Sequence, residues 1–105
     1  MSHYVAVADA DAIAEGSSKV FTIDDIRVAV CRVEGEYYAF EDVCTHDDAP
    51  LGEGRLLGFE IECPRHGARF DVRDGHVTRM PAVAPLPTFP VKVEGGRILV
   101  DLEED

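Results

Sequence analysis

Long apolar runs are missing from this chain. No stretch approaches the roughly 20 consecutive hydrophobic residues that a membrane-spanning helix requires, and the opening segment from Met1 to Gly16 lacks the basic end and apolar run of an export signal. The expected location is the cytoplasm. Positive charge is also scarce: 10 Lys and Arg stand against 21 Asp and Glu, a formal net charge of -11. That balance argues against nucleic acid, which demands counter-charge from the protein, and against an anionic membrane surface. The surplus acid keeps a small protein soluble and monomeric, and it also suits docking onto basic partners. Cysteine is sparse too. The chain has 3 cysteines, which cannot all pair, and Cys31 lies in a run of strand-like residues from Ile26 to Val33, where a small apolar side chain belongs in a core. Cys44 and Cys63 remain. They would form one disulfide in a secreted protein and are better explained as ligands in an intracellular one.

What is present describes an ordinary globular domain. Hydrophobic residues make up 46% and charged residues 30% of 105 residues, enough for one modest core, so residues 1–105 are expected to form a single domain with a single site. No internal repeat, low-complexity tract or linker divides them. Pro and Gly cut the sequence into short segments rich in Val, Ile, Phe and Tyr, which is an all-β pattern. Ile26 to Val33 and Tyr37 to Phe40 flank Glu34-Gly35, and Arg69 to Arg73 and His76 to Arg79 flank Asp74-Gly75, a strong two-residue hairpin signal. A third hairpin runs from Val91 to Asp101 around Gly95-Gly96. Tyr4 to Val7 and Ser17 to Ile23 are further strands, and a single helical turn is expected between Asp9 and Glu15, with Asp9 as its cap. The irregular stretches are Asp42 to Leu57, Cys63 to Ala68 and Met80 to Pro87.

Those irregular stretches hold the chemistry. Cys44-Thr45-His46 is followed, after 16 intervening residues, by Cys63-Pro64-Arg65-His66-Gly67. Two thiolates and two imidazoles on two short loops make a four-ligand metal site. Each half offers one soft anionic sulfur and one neutral nitrogen, so two loops side by side sort sulfurs onto one iron and nitrogens onto the other, the arrangement of a Rieske 2Fe-2S centre. A mononuclear zinc site with the same ligands is the competing reading, although common zinc frameworks group like ligands within each half instead of alternating them. A catalytic Cys-His pair lacks a nameable general base, oxyanion donors or pocket.

The two boxes resemble the cluster loops of Rieske proteins, and the whole chain is similar in length and strand order to bacterial Rieske-type ferredoxins of aromatic-ring dioxygenase systems. The resemblance implies an antiparallel β sandwich with a cluster-binding loop subdomain at its tip. One 2Fe-2S cluster would be held by Cys44 and Cys63 on one iron and by His46 and His66 on the outer, more exposed iron. The Pro81 to Pro87 stretch matches the loop that shields the cluster in that family. The implied role is a soluble electron carrier, not an enzyme, receiving single electrons from an NAD(P)H-dependent flavoprotein reductase and passing them to a terminal oxygenase. A small Rieske-type subunit of an assimilatory nitrite reductase and a zinc-stabilised interaction module are the alternatives.

Departures from the wider family are informative. Rieske proteins of respiratory complexes join their loops by a disulfide at the positions of Ala49 and Arg65, which this chain cannot form. Hydrogen bonds and the packing of Pro50, Leu51 and the Pro81 to Pro87 segment are expected to hold the loops instead. Where high-potential members carry a Ser and a Tyr whose hydroxyls donate to sulfur, this chain has Ala68 and Phe70. Losing those hydrogen bonds lowers the potential. Protein-film voltammetry is therefore expected to return a value near the low end of the Rieske range, roughly -150 mV, and a clearly positive potential refutes that expectation.

Overall fold

The computed structural model describes residues 3–43, 50–52, 54–65, 67–80 and 84–102. Its strands, in chain order, are β1 (Tyr4–Asp9), β2 (Ser18–Ile23), β3 (Ile26–Val33), β4 (Glu36–Glu41), β5 (Arg55–Leu57), β6 (Glu60–Glu62), β7 (Arg69–Asp71), β8 (Val77–Arg79), β9 (Thr88–Phe89), β10 (Val91–Glu94) and β11 (Arg97–Asp101). Every pairing is antiparallel. Three sheets result, ordered β1-β11-β10, β2-β3-β4-β9 and β5-β6-β7-β8. The all-β class and the antiparallel sandwich expected from the sequence are what the chain adopts. Among the described residues no helix is long and apolar enough to cross a membrane.

The apolar run of β3 explains how the sheets stack. Successive side chains of a strand point to opposite faces, so a strand with no polar face must be covered on both sides. Val28 and Val30 join Ala39, Phe89, Ile98 and Val100 in one core, shared with the β1-β11-β10 sheet. Ala29, Cys31 and Val33 point the other way and join Phe40, Ile61, Phe70 and Val72 in a second core, shared with the β5-β6-β7-β8 sheet. The neighbouring strand repeats the division, with Ala39 in the first core and Phe40 in the second. The central sheet is thus a wall between two cores, and the second core carries the loops that contain the ligand candidates.

Several turns form as expected. Glu34-Gly35 and Gly95-Gly96 link their strands with positive φ at both positions, the geometry of a tight hairpin. The β2–β3 turn was not signalled by any glycine. It uses Asp24 and Asp25 at φ 50° and 67°, which Asp tolerates better than most side chains. Between β7 and β8 the expected two-residue turn at Asp74-Gly75 is a longer loop. Val72 gives its N–H to the Phe59 carbonyl at 2.8 Å, outside the hairpin, and the Gly75 N–H reaches the Asp71 carbonyl at 2.7 Å. The turn expected between Asp9 and Glu15 is a 3-10 turn, Ala10–Ala12, from which the Asp9 side chain accepts no capping hydrogen bond; fully buried Ile13 pins the chain just beyond it. The stretch from Asp42 to Leu57, expected to be irregular throughout, ends in β5.

Cys31 is the core residue that the sequence suggested. It is fully buried, and desolvation pushes its thiol up to about 12. The thiolate is the reactive form, so iodoacetamide at mildly alkaline pH is expected to leave Cys31 unmodified in the native protein and to label it once guanidinium chloride has unfolded the chain. Peptide mass spectrometry reads the difference; labelling of the native protein at the unfolded rate contradicts it.

Candidate functional site

Two connections border the second core on the β5 to β8 side, and each is fastened at its ends. The first leaves β4 at Asp42, whose side chain is completely excluded from solvent. An unpaired carboxylate there would be costly, and this one has an ion-pair partner as well as hydrogen-bond donors. Its Oδ1 accepts the N–H groups of Leu51 at 2.8 Å and Gly52 at 2.5 Å, while its Oδ2 lies 2.6 Å from Arg27 Nη2. The Asp42 N–H in turn donates to the Arg27 carbonyl at 2.8 Å. Ser18 Oγ donates to the Gly52 carbonyl at 2.6 Å, and Leu51 is buried in the core beside Phe40. Cys44 and His46, the first pair of expected ligands, fall between these anchor points; both lie outside the described residues, as does His66.

Glycine is required where this connection comes back to the sheet. A Cβ on Gly52 would sit 2.6 Å from Val20 Cγ2 and 2.9 Å from Ala29 Cβ, and one on Gly54 would sit 1.8 Å from the Glu62 carbonyl oxygen. The first connection is thereby pressed against the backbone one residue before Cys63.

The second connection runs from β6 to β7 and begins at Cys63, a free cysteine that is 1% exposed and belongs to the same core. Its N–H donates to the Ala68 carbonyl at 2.7 Å, and its carbonyl accepts the Gly67 N–H at 3.1 Å. Among the described residues the turn is closed by backbone hydrogen bonds that do not use the thiol. Beneath it, Glu62 and Arg69 face each other across the strands with Nε–Oε2 and Nη2–Oε2 distances of 3.0 Å, and Arg69 Nη1 lies 3.7 Å from Glu60 Oε1. Pro64 and Arg65 are exposed, whereas Ala68 and Phe70 are fully buried. No hydroxyl stands at either of these two positions.

The Pro81 to Pro87 stretch is described only from Ala84 onward. Leu86 is buried in the second core, its N–H donates to the Gly75 carbonyl at 2.7 Å, and the Pro87 carbonyl accepts the Glu41 N–H at 3.0 Å. Leu51 and Leu86 therefore do the packing expected of these segments, but Pro50 is exposed and does not.

Between Cys63 and Met80, two of the arginines are neutralised in space. Arg69 is held by the two glutamates. Arg73 grips both Asp71 oxygens, at 3.0 and 2.7 Å, while lying 4.1 Å from the Phe59 ring centroid. Those hydrogen bonds keep the Asp71 carboxyl below the ordinary carboxylate range. Asp71, Asp74 and His76 are the described residues whose donor atoms come close enough to share an ion, yet Arg73 already occupies Asp71 and His76 Nδ1 sits 2.6 Å from Asp74. That cluster is an ion-pair network on the β7–β8 turn.

Sequence reasoning named Cys63 and the turn around it, and missed Asp42, Gly54 and the Glu62–Arg69 pair. The closely spaced Gly52 and Gly54 were the available signal of a tight backbone approach.

Comparison with known proteins agrees with this geometry. Residues 3–90 match the model of the Rieske [2Fe-2S] domain. The ferredoxin component of the p-cumate 2,3-dioxygenase system of Pseudomonas putida is 41% identical over 104 residues, covering 97% of this chain and 88% of that protein. The biphenyl 2,3-dioxygenase ferredoxin component of Rhodococcus jostii (strain RHA1) is 49% identical over 76 residues, 72% of this chain and 71% of that one. Among solved structures, a chain in the complex of reduced oxygenase and oxidized ferredoxin in carbazole 1,9a-dioxygenase superposes with a TM-score of 0.91 at 37% identity, covering 97% of this chain and 95% of that one.

The close approach at Gly54 makes a quantitative expectation. Substituting Gly54→Ala forces the loop or β6 to move, and overpacking of this kind is expected to cost about 1–3 kcal/mol. Urea denaturation measures it, and an unchanged midpoint shows that the approach is not a constraint.

Proposed function

The chain belongs to the Rieske [2Fe-2S] domain family, and on that premise we propose that it is the ferredoxin component of a multicomponent aromatic-ring oxygenase system. It carries one Rieske-type 2Fe-2S cluster and moves electrons without itself transforming a substrate. The observation that carries this reading is the near-complete overlap with ferredoxin components, 97% of this chain and 88% of the p-cumate relative.

The residues fit the group. Cys63 offers a free, buried thiol on a turn whose backbone bonds are already satisfied, and Cys44, His46 and His66 complete a donor set of two sulfurs and two nitrogens on the two connections. Cys44 and Cys63 would hold one iron, and His46 and His66 the other. A bound 2Fe-2S cluster supplies reversible one-electron chemistry. The protein around it sets its potential and its access. Core burial keeps water from the Cys63 sulfur, and the alanine and phenylalanine at positions 68 and 70 offer no hydroxyl donors to the sulfurs of a bound cluster, which favours the oxidised form. The exposed Pro64-Arg65 segment beside Cys63 puts this edge of the domain within reach of a partner.

The partners on this reading are a terminal oxygenase, as in the carbazole complex, and upstream an NAD(P)H-dependent flavoprotein reductase. The protein would act as a monomer in the cytoplasm, its acidic surface steering it toward basic docking sites.

Stopped-flow mixing of the reduced protein with an aromatic-ring oxygenase tests the assignment. About one electron per chain is expected to pass to the oxygenase, more slowly at high salt because the steering is screened. Cys63→Ser is expected to remove the visible absorption and the transfer together. A colourless protein with stoichiometric zinc, or a coloured one that reduces no such oxygenase, overturns it.

A further inference from the structure

The cross-loop disulfide of respiratory Rieske proteins is missing here, since Ala49 and Arg65 stand at its positions, so something else must fix the first connection against the sheet. Its described ends converge on one side chain. Asp42 closes the connection from below by accepting the N–H groups of Leu51 and Gly52, nine and ten positions ahead, on a single oxygen. The second oxygen is turned away and held by Arg27. Ser18, at the start of β2, holds the Gly52 carbonyl, so the Leu51-Gly52 peptide segment is gripped from both its donor and acceptor sides. The site is buried, and hydrogen bonds to a charged acceptor are stronger than neutral ones.

Resting on the family reading, we infer that Asp42, with Ser18, is the positioning residue of the first ligand loop, taking the place that a cross-loop disulfide holds in other members. Asp42 touches no ligand. It acts by fixing the two ends of the segment that contains Cys44 and His46, so that both donors stay aligned with Cys63. The carboxylate does so through two separable parts: an oxygen that accepts the amides, and a charge that Arg27 neutralises. An amide side chain keeps the first part and loses the second.

Cluster retention in the full-length holoprotein separates these parts. Visible bleaching in excess iron chelator gives the rate of cluster loss, and hydrogen exchange gives the protection of the Leu51 and Gly52 amides. Asp42→Ala is expected to lose the cluster at least about tenfold faster than wild type and to lose protection at these amides. Asp42→Asn, which retains an acceptor oxygen, is expected to stay within about threefold. Ser18→Ala, a mild change at the sheet margin, is expected to bleach about threefold faster, and it decides the matter should Asp42→Ala fail to fold. Tyr37→Phe serves as a control, since it loses a hydrogen bond to the Ala10 carbonyl beside the other core and is expected to leave the bleaching rate unchanged. Wild-type bleaching rates in folded Asp42→Ala and in Ser18→Ala overturn the inference, as does an Asn variant no better than Ala. A wild-type protein that holds no cluster at all would instead overturn the family reading.

Discussion

The arrangement of the whole molecule follows from β3 having no face to give to water. Because Val28 and Val30 are buried on one side and Ala29, Cys31 and Val33 on the other, the central sheet must be covered twice. One cover, β1-β11-β10, is built from the two ends of the chain. The other, β5-β6-β7-β8, would be a small sheet of three-residue strands if it stood alone, too short to be stable in water. It persists because Ile61, Phe70 and Val72 pack against Phe40 and the second face of β3. The same packing puts Cys63 in a core, so the candidate ligand edge and the hydrophobic interior are one piece of structure.

Charge is arranged on top of that packing in an uneven way. The cations nearest the loops are occupied: Arg27 by Asp42, Arg69 by Glu60 and Glu62, Arg73 by Asp71. The exposed pairs among these contribute little to stability, since water and salt screen them. Their effect is on the outward field, because each paired arginine is subtracted from the positive surface while the acid excess remains. A partner approaching from a distance meets a strongly negative body.

Much of this was readable in the residues. β3, the hairpin turns at Glu34-Gly35 and Gly95-Gly96, and the core position of Cys31 follow from local composition, because each depends on neighbours in sequence. The two Cys-His boxes stood out in the sequence as a ligand proposal, and of their four residues only Cys63 lies in the described part of the chain. What escaped was non-local. Asp42 looked like one acid among many until the fold brought Leu51, Gly52 and Arg27 to it. The pairing of Arg69 with Glu62 likewise appears only once cross-strand register brings them together. The Asp74-Gly75 turn was overestimated because the competing bond from Val72 to Phe59 belongs to another hairpin.

The pairing of β4 with β9 has one more consequence. Ala39 and Phe40 lie opposite Phe89 and Thr88, so the central sheet is continuous across a gap in the sequence that contains the entire β5 to β8 unit. That unit is an excursion from a framework hairpin. Closing so long an excursion costs only a little more entropy than closing a shorter one, because the penalty grows logarithmically with length. The framework thus tolerates changes of loop length inside the excursion far better than changes to the strands that bracket it. A lineage adapting such a carrier to new redox partners has its freedom there, between Asp42 and Pro87, while the two-faced strand at the centre stays as it is.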